Sequence, residues 1–470
     1  MSRPNIIFIL SDQHNVLEVA DTPNIDRIAG SGIRFTSTYC SSPLCVPSRS
    51  GLLTGRLPSH NGVWNNVQSL RTDEVTVAHC LGMNGYHTTL CGRMHFNFDD
   101  QTHGFDEHTV GEITPTFPRP ARQKMVYGPL AGSPDQSHVS IEKSGAGHSS
   151  VHEYDADVAV NACNIIRENG RDDQPFFLTV GFYGPHCPFV ADQDLYSKYY
   201  ERLEDIKAFR GYETLHPEYQ RFIDLRGIRD LSDEDVRRTS AAYYANVEYM
   251  DYLIGDILDT AEKYLDMDNT IVVYSSDHGE SLGHHGLYWK SNFYRESVNV
   301  PLVMSWKNHF PVKKIDTPVS LLDLAPTFLE ITDSPALPGC DGKSLCRLID
   351  GEDDERVIFS LLEDLKGDKP SAMVVNGRYK LIKFCGVDLP ILIDMVTDPE
   401  ENVNLALDER YSSICNELLD RLHEVWDESN RMEHLETART EAALVKRFIK
   451  EKNPTVHGEW DGDFSRNSLL

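Results

Sequence analysis

Near-continuous apolar runs alternate, in the N-terminal part of the chain, with segments whose apolar residues recur at helical spacing. Such runs predict strands that are buried on both faces, and they occur at residues 6–10 (IIFIL), 88–91 (TTLC), 176–183 (FFLTVGFY) and 270–277 (TIVVYSSD). Residues 243–264 have the apolar spacing of a long helix. The alternation predicts an α/β domain with a large mixed, mostly parallel sheet sandwiched by helices.

The pattern changes after an acidic, glycine-containing stretch at residues 337–355. Short apolar segments then predict antiparallel strands at residues 356–362, 371–384 and 390–396. Asn376 and Gly377 are typical of a tight hairpin turn, and residues 410–428 have the pattern of an amphipathic helix.

These segments predict three units along the chain. We expect a catalytic domain over residues 1–350 and a smaller C-terminal α+β domain, built on a short antiparallel sheet, over residues 355–430. Residues 431–470 would form a tail with one helix, available for contacts in a homo-oligomer.

The net charge and the cysteine content limit which binding partners and which cellular compartment are expected. The 470 residues include 45 Lys and Arg against 73 Asp and Glu, a formal net charge of −28, so nucleic acid and anionic membranes are not expected partners. Any anion site needs a local concentration of cations. The ten cysteines show no framework spacing, which favours free thiols in the cytoplasm. The run at residues 6–10 is too short for a secretory core or a membrane span, so no signal peptide is expected.

Ionisable residues follow all four predicted strands. Because ligands of parallel sheets bind beyond the carboxyl ends of the strands, these residues predict a metal or anion site; they are Asp12, Arg93 with His95, His186, and Asp277 with His278.

A further candidate lies at a predicted helix start. Pro47 suits a first helical position and Gly55 a C-terminal cap. Cys45 would then lie just before the helix, in the field of its free amides and close to Arg49. This placement predicts a lowered thiol pKa and an anion site.

The segment at residues 45–56 reads CVPSRSGLLTGR and resembles the signature C-x-P-S-R-x-x-x-L-T-G-R of the type I, formylglycine-dependent sulfatases in the alkaline phosphatase superfamily. The resemblance implies that Cys45 is oxidised to formylglycine by a maturase and that the hydrated aldehyde attacks sulfur. A buried, unmodified cysteine is the alternative.

Two further segments resemble the metal-binding turns of this family. They place Asp12 and Gln13 after the first strand, and Asp277 and His278 in SSDHGESLG. The Asp-Gln and Asp-His pairs, together with Asn66 as an active-site asparagine, are similar to the choline sulfatase and phosphonate monoester hydrolase branch. Oxygen donors favour Ca²⁺, while the imidazole leaves Mn²⁺ or Mg²⁺ open.

The resemblance also implies roles for the remaining candidates. Arg49 and His95 would orient the diol, and His186 in GPHCPF would be the general acid. Arg93, which stands where the family usually has lysine, and Lys290 in GLYWK would bind the sulfate.

The function predicted from these residues is hydrolysis of a sulfate ester by S–O cleavage. A phosphonate monoester or phosphodiester hydrolase with the same site, a choline sulfatase, and a non-catalytic anion-binding protein are the alternatives. A carbohydrate or other small organic sulfate is favoured by basic residues between positions 110 and 150, namely Arg119, Arg122, Lys124 and Lys143. Choline would instead need aromatic faces, for which the candidates are Trp64, Tyr288, Trp289 and Trp460.

Overall fold

The computed structural model describes residues 3–113, 130, 132–452 and 467–469. Arg119, Arg122, Lys124 and Trp460 lie outside the described residues. In chain order, the strands are β1 Asn5–Asp12, β2 Ile33–Tyr39, β3 His87–Gly92, β4 Glu107–Thr109, β5 Gly145–His148, β6 Phe176–Pro185, β7 Val190–Ala191, β8 Thr270–Ser276, β9 Asn299–Trp306, β10 Lys313–Ile315, β11 Val319–Ser320, β12 Val357–Leu362, β13 Ser371–Asn376, β14 Tyr379–Phe384, β15 Ile391–Asp394 and β16 Ser468–Leu469.

The α-helices, in the same order, are α1 Pro23–Gly30, α2 Cys45–Thr54, α3 Pro58–Asn61, α4 Val77–Met83, α5 His138–Glu142, α6 Ser150–Asn169, α7 Gln193–Arg202, α8 Pro217–Arg226, α9 Asp233–Tyr264, α10 Arg295–Val298, α11 Leu324–Ile331, α12 Cys346–Ile349, α13 Ser412–His423 and α14 Arg431–Lys452. Within the described ranges, no helix is long and apolar enough to cross a membrane.

The large sheet has the order β10-β2-β9-β8-β1-β6-β3-β4, with β11 also paired to β2. Strand β1 lies parallel to both β6 and β8, and β3 lies parallel to β6. Strand β9 is antiparallel to β2 and β8. The sheet is therefore mixed and mostly parallel, which confirms the predicted fold class.

Helices cover both faces of this sheet. Along β1, Ile7 and Ile9 face a core with α1 and α6, whereas Ile6, Phe8 and Leu10 face a core with α2, α4 and α11. Because successive side chains of a strand point to opposite faces, burial of both faces explains the continuous apolar run.

The small sheet consists of β12 to β15, paired antiparallel in chain order. The β13–β14 hairpin differs by one residue from its prediction: Asn376 pairs with Tyr379, so the two-residue loop is Gly377 and Arg378. Gly377 takes a φ of 58°, in the left-handed region that glycine adopts without strain. The division into domains at residues 350 and 355 stays a prediction.

The C-terminal residues pair with the N-terminal part of the chain. Strand β16 is antiparallel to β5, with Ser468 opposite His148, and β5 also pairs with β7.

Candidate active site

The carboxyl ends of four neighbouring strands, β8, β1, β6 and β3, form the floor of the candidate site. Asp277, Asp12, His186 and Arg93 follow or end these strands. Ser11 on β1 is in register with Ser276 on β8, which places Asp12 beside Asp277. The parallel register brings together side chains that are far apart along the chain.

Cys45 lies at the centre of this group and is 1% exposed. Its Sγ is 3.0 Å from Nζ of Lys290, 3.2 Å from Nε2 of His278 and 3.7 Å from Oδ1 of Asp12. Cys45 is itself the first residue of α2, rather than the residue before it, and Pro47 is the third. Gly55 caps the helix with a φ of 67°, as predicted.

The predicted lowering of the Cys45 pKa is wrong. Burial and the carboxylate of Asp12 raise the pKa of the thiol to about 11, because together they outweigh the nearby cation of Lys290. An unmodified Cys45 is therefore protonated at neutral pH and a poor nucleophile.

Side chains that could hold a metal ion converge beside Cys45. Ligand atoms of Asp12, Cys45, Asp277 and His278 all lie within 4.8 Å of one another, and these residues are buried. His278 makes an Nδ1 hydrogen bond of 3.0 Å with the carbonyl of Gly279, which leaves Nε2 for the cluster. Burial lowers the pKa of His278, which favours the neutral imidazole that a metal requires. Two carboxylates and one imidazole fit a divalent ion.

Both oxygens of Gln13 accept hydrogen bonds from neighbouring residues. Its backbone carbonyl accepts a hydrogen bond of 2.8 Å from the hydroxyl of Tyr243. Its Oε1 accepts one of 2.8 Å from Nζ of Lys290, and its Nε2 donates to Glu280. Glu280 is fully buried, and burial raises its pKa to about 7. The sequence analysis missed Glu280, although it follows His278 by two residues.

Two buried arginines hold the carboxylates in place. Arg49 donates from Nε to Asp277 at 2.7 Å and from an Nη to Asp12 at 3.2 Å. Arg93 donates from Nε to Asp12 at 2.8 Å and lies over the ring of Tyr183. Burial acts to raise the pKa of Asp12, but Arg93 and Lys290 hold it well below its usual range.

The two candidate histidines are fixed by hydrogen bonds at Nδ1. In His95, Nδ1 accepts a bond of 2.8 Å from Arg93, so the neutral ring carries its hydrogen on Nε2. In His186, Nδ1 donates to the carbonyl of Cys187 at 2.7 Å, which leaves Nε2 without hydrogen in the neutral ring. Burial and nearby cations, Arg93 for His95 and Lys290 for His186, hold both pKa values well below the usual range.

Asn66 supports the start of α2. Its Oδ1 accepts a hydrogen bond of 3.0 Å from the amide of Val46, next to Cys45. The described aromatic candidates for a choline site are packed inside the protein: Tyr288 and Trp289 are at most 1% exposed, and Trp64 lies under the guanidinium of Arg431.

The chain is similar to known proteins over most of its length. The chain matches the sulfatase family over residues 4–334 and the C-terminal family of N-sulphoglucosamine sulphohydrolase over residues 283–428. The choline-sulfatase of Rhizobium meliloti (strain 1021) is 32% identical over 439 residues, which cover 87% of this chain and 83% of that protein.

Two further relatives differ in their named activity. An N-acetylglucosamine-6-O-sulfatase of Bacteroides thetaiotaomicron is 26% identical, with 90% of this chain and 86% of that protein covered. The fold is similar to that of the phosphonate monoester hydrolase of Agrobacterium radiobacter, with a TM-score of 0.72, 22% identity and coverage of 90% and 95% of the two chains. These findings confirm the predicted family and branch: the chain belongs to the sulfatase family and is a sulfuric ester hydrolase.

Proposed function

We propose that this protein hydrolyses the sulfate ester of a carbohydrate or another small organic alcohol, with a formylglycine made from Cys45 as the nucleophile. The observation that supports this most is the position of Cys45. Its Sγ lies at a helix start, 3.0 Å from Lys290 and within the cluster of Asp12, Asp277 and His278. A thiol with a pKa of about 11 is a poor nucleophile, so the site suits a side chain that is converted before use.

We assign one divalent ion to Asp12, Gln13, Asp277 and His278, with Ca²⁺ favoured over Mn²⁺ and Mg²⁺. Three of the four ligands offer oxygen, which is the donor that Ca²⁺ prefers. When bound, such an ion lowers the pKa of a nucleophilic hydroxyl and polarises an ester oxygen.

The cations and histidines would act on the substrate. Lys290 and Arg93 would neutralise sulfate oxygens as charge develops on them. His186 would act as the general acid from Nε2 once that nitrogen is protonated, since the hydrogen of the neutral ring is on Nδ1, which donates to a carbonyl. The negative charge of a bound sulfate would favour this protonation. His95 would donate from Nε2 to the nucleophile, and Arg49 would orient the carboxylates around it.

Asn66 would affect the reaction by holding the first turn of α2 in place. Its contact with the amide of Val46 fixes the first turn of the helix, on which Cys45 stands. Its role as a substrate ligand stays a prediction.

A sugar sulfate is the substrate class that we favour. One relative is named for an N-acetylglucosamine sulfate, and the ring of Trp64, one of the aromatic faces that choline would need, is already engaged by the guanidinium of Arg431. The choline-sulfatase relative and the phosphonate monoester hydrolase fold define the competing substrates.

The decisive variant is Cys45→Ala, with Cys80→Ala as the control because that cysteine is also buried but lies on α4. We expect Cys45→Ala to fold and lose all turnover of a sulfated monosaccharide, while Cys80→Ala stays active. Intact-mass measurement of protein made with a maturase should show the aldehyde at Cys45. Full activity of Cys45→Ala, or faster turnover of phosphonate esters than of any sulfate, would overturn the proposal.

We also propose two protein partners, a maturase and further copies of this chain, and a cellular compartment. A formylglycine-generating maturase would act before folding, because Cys45 is buried afterwards. We place the enzyme in the cytoplasm, where its ten free cysteines stay reduced. A homo-oligomer would form through the tail, where Leu444 and Phe448 on α14 are 59% and 53% exposed; light scattering measures its mass.

A further inference from the structure

Glu280 joins two segments of the active site without belonging to the predicted set of residues. One carboxylate oxygen accepts hydrogen bonds from the amides of Leu282, at 2.8 Å, and Trp289, at 2.6 Å. The other accepts from Nε2 of Gln13. The side chain is fully buried, so this carboxylate links the end of β1 to the segment that ends in Lys290.

The Gln13 side-chain amide is hydrogen-bonded at both ends, to Lys290 through its oxygen and to Glu280 through its nitrogen. The Lys290 ammonium can only donate, so the Gln13 oxygen faces Lys290 and the Gln13 nitrogen is left to donate to Glu280. The reversed amide would set its NH₂ group against the Lys290 ammonium and its oxygen against the carboxylate, and both hydrogen bonds would be lost. The observed orientation places the Gln13 oxygen on Lys290, whose ammonium lies 3.0 Å from Sγ of Cys45 and 3.9 Å from Oδ1 of Asp12.

We propose that Glu280 is a positioning residue, which holds the Gln13 amide so that its oxygen faces the divalent ion and thereby sets the ion's affinity. The inference rests on the proposed function, since it assumes that an ion binds beside Gln13. An amide nitrogen is not a ligand for a hard cation, whereas an amide oxygen is. The observed orientation of Gln13 therefore completes the set of ligands, whereas the reversed orientation leaves the ion one ligand short.

The variant Glu280→Gln tests this orientation. If the oxygen of the new amide at position 280 still accepts hydrogen bonds from the amides of Leu282 and Trp289, the NH₂ group at position 280 faces Gln13. That NH₂ group then needs the Gln13 oxygen as its acceptor. Gln13 then turns its own NH₂ group toward the ion and Lys290. If the new amide is reversed instead, its NH₂ group opposes two backbone N–H groups, which costs more hydrogen bonds than turning Gln13.

A second substitution should restore the ligand. In Gln13→Glu with Glu280→Gln, the new carboxylate accepts from the NH₂ group at position 280 with one oxygen and offers the other to the ion. The pair of substitutions exchanges the amide and the carboxylate, and it keeps the formal charge of the pair. No purely structural role of Glu280 predicts this rescue.

The measurement is calorimetric titration of the metal-free full-length protein with Ca²⁺ and with Mn²⁺, together with the shift in melting temperature that each ion causes. We expect Glu280→Gln to bind about 10- to 100-fold more weakly, and the double variant to recover most of this loss. Glu401→Gln is the control, because Glu401 is also buried and accepts a backbone amide, from Arg295; its ion affinity should not change.

The outcomes separate the inference from the function on which it rests. Wild-type protein that binds neither ion would contradict the proposed metal site itself. Wild-type binding with equal affinity in Glu280→Gln, even if that variant is less stable, would overturn the role of Glu280. If Glu280→Gln does not fold, the double variant decides alone: near wild-type affinity supports the orientation, and affinity lowered about 100-fold overturns it.

Discussion

Arg49 and Arg356 form a matched pair in which one arginine serves the site and the other only the fold. Each is almost fully buried, with side-chain exposures of 1% and 2%. Arg49 binds the carboxylates of Asp12 and Asp277, and Arg356 binds those of Asp323 and Asp354. Each also donates to two backbone carbonyls.

Replacement of either arginine by lysine keeps the charge and removes the planar fork. A single ammonium cannot reach two carboxylates and two carbonyls, so about two charge-assisted hydrogen bonds are lost. At about 1.5–3 kcal/mol for each bond, the cost to folding is about 3–6 kcal/mol in both variants. Similar losses of thermal stability are therefore expected for Arg49→Lys and Arg356→Lys.

Activity should separate the two variants. Arg49→Lys releases Asp12 and Asp277 from their fixed positions, and a displacement of about 1 Å at a reacting group costs about 100-fold in rate. We expect kcat/KM for a sulfated monosaccharide to fall about 100-fold in Arg49→Lys and to stay near wild type in Arg356→Lys.

The assay is steady-state kinetics at a temperature where both variants are folded, as shown by circular dichroism. An equal loss of kcat/KM in the two variants would refute the reasoning, because the loss would then follow stability. Wild-type kinetics in Arg49→Lys would also refute the reasoning.

Two other residues give sharp predictions. His186→Ala should slow hydrolysis of an alkyl sulfate by about 100- to 10,000-fold. Hydrolysis of nitrophenyl sulfate should slow far less, because a good leaving group needs no proton. Equal losses of rate for the two substrates in stopped assays would exclude His186 as the general acid. In protein made without maturase, Cys45 should resist alkylation by iodoacetamide at pH 8, because a thiol of pKa about 11 is only about 0.1% thiolate there. The rate of alkylation should increase as the pH rises toward 11. Rapid labelling of native protein at pH 8, followed by peptide mass spectrometry, would contradict the raised pKa.

The sheet and the set of candidate site residues could be predicted from local patterns. A run such as IIFIL can be covered on both faces only in a sandwiched parallel sheet, and residues at the carboxyl ends of such strands meet at one edge. The pattern at residues 45–56 could predict Cys45 as the source of the nucleophile because the pattern is specific and continuous.

The electrostatics of the site depended on tertiary structure. The helix start at Cys45 predicted a lowered thiol pKa, but burial and Asp12, which comes from another element, raise it. Arg93 was expected to contact an anion, which stays a prediction, and the structure pairs it with Asp12 and His95.

The sequence by itself determined the sheet and which residues are candidates for the chemistry, since strand ends, a helix start and a family signature are local features. Only the tertiary structure decided how those residues are oriented and charged. Gln13 and Glu280 are 267 positions apart, and nothing local to either residue predicts their contact. The parallel pairing of β1 with β8 brings their segments together, and hydrogen bonds and desolvation, which act over a few ångströms in space, then set the amide orientation and the pKa values.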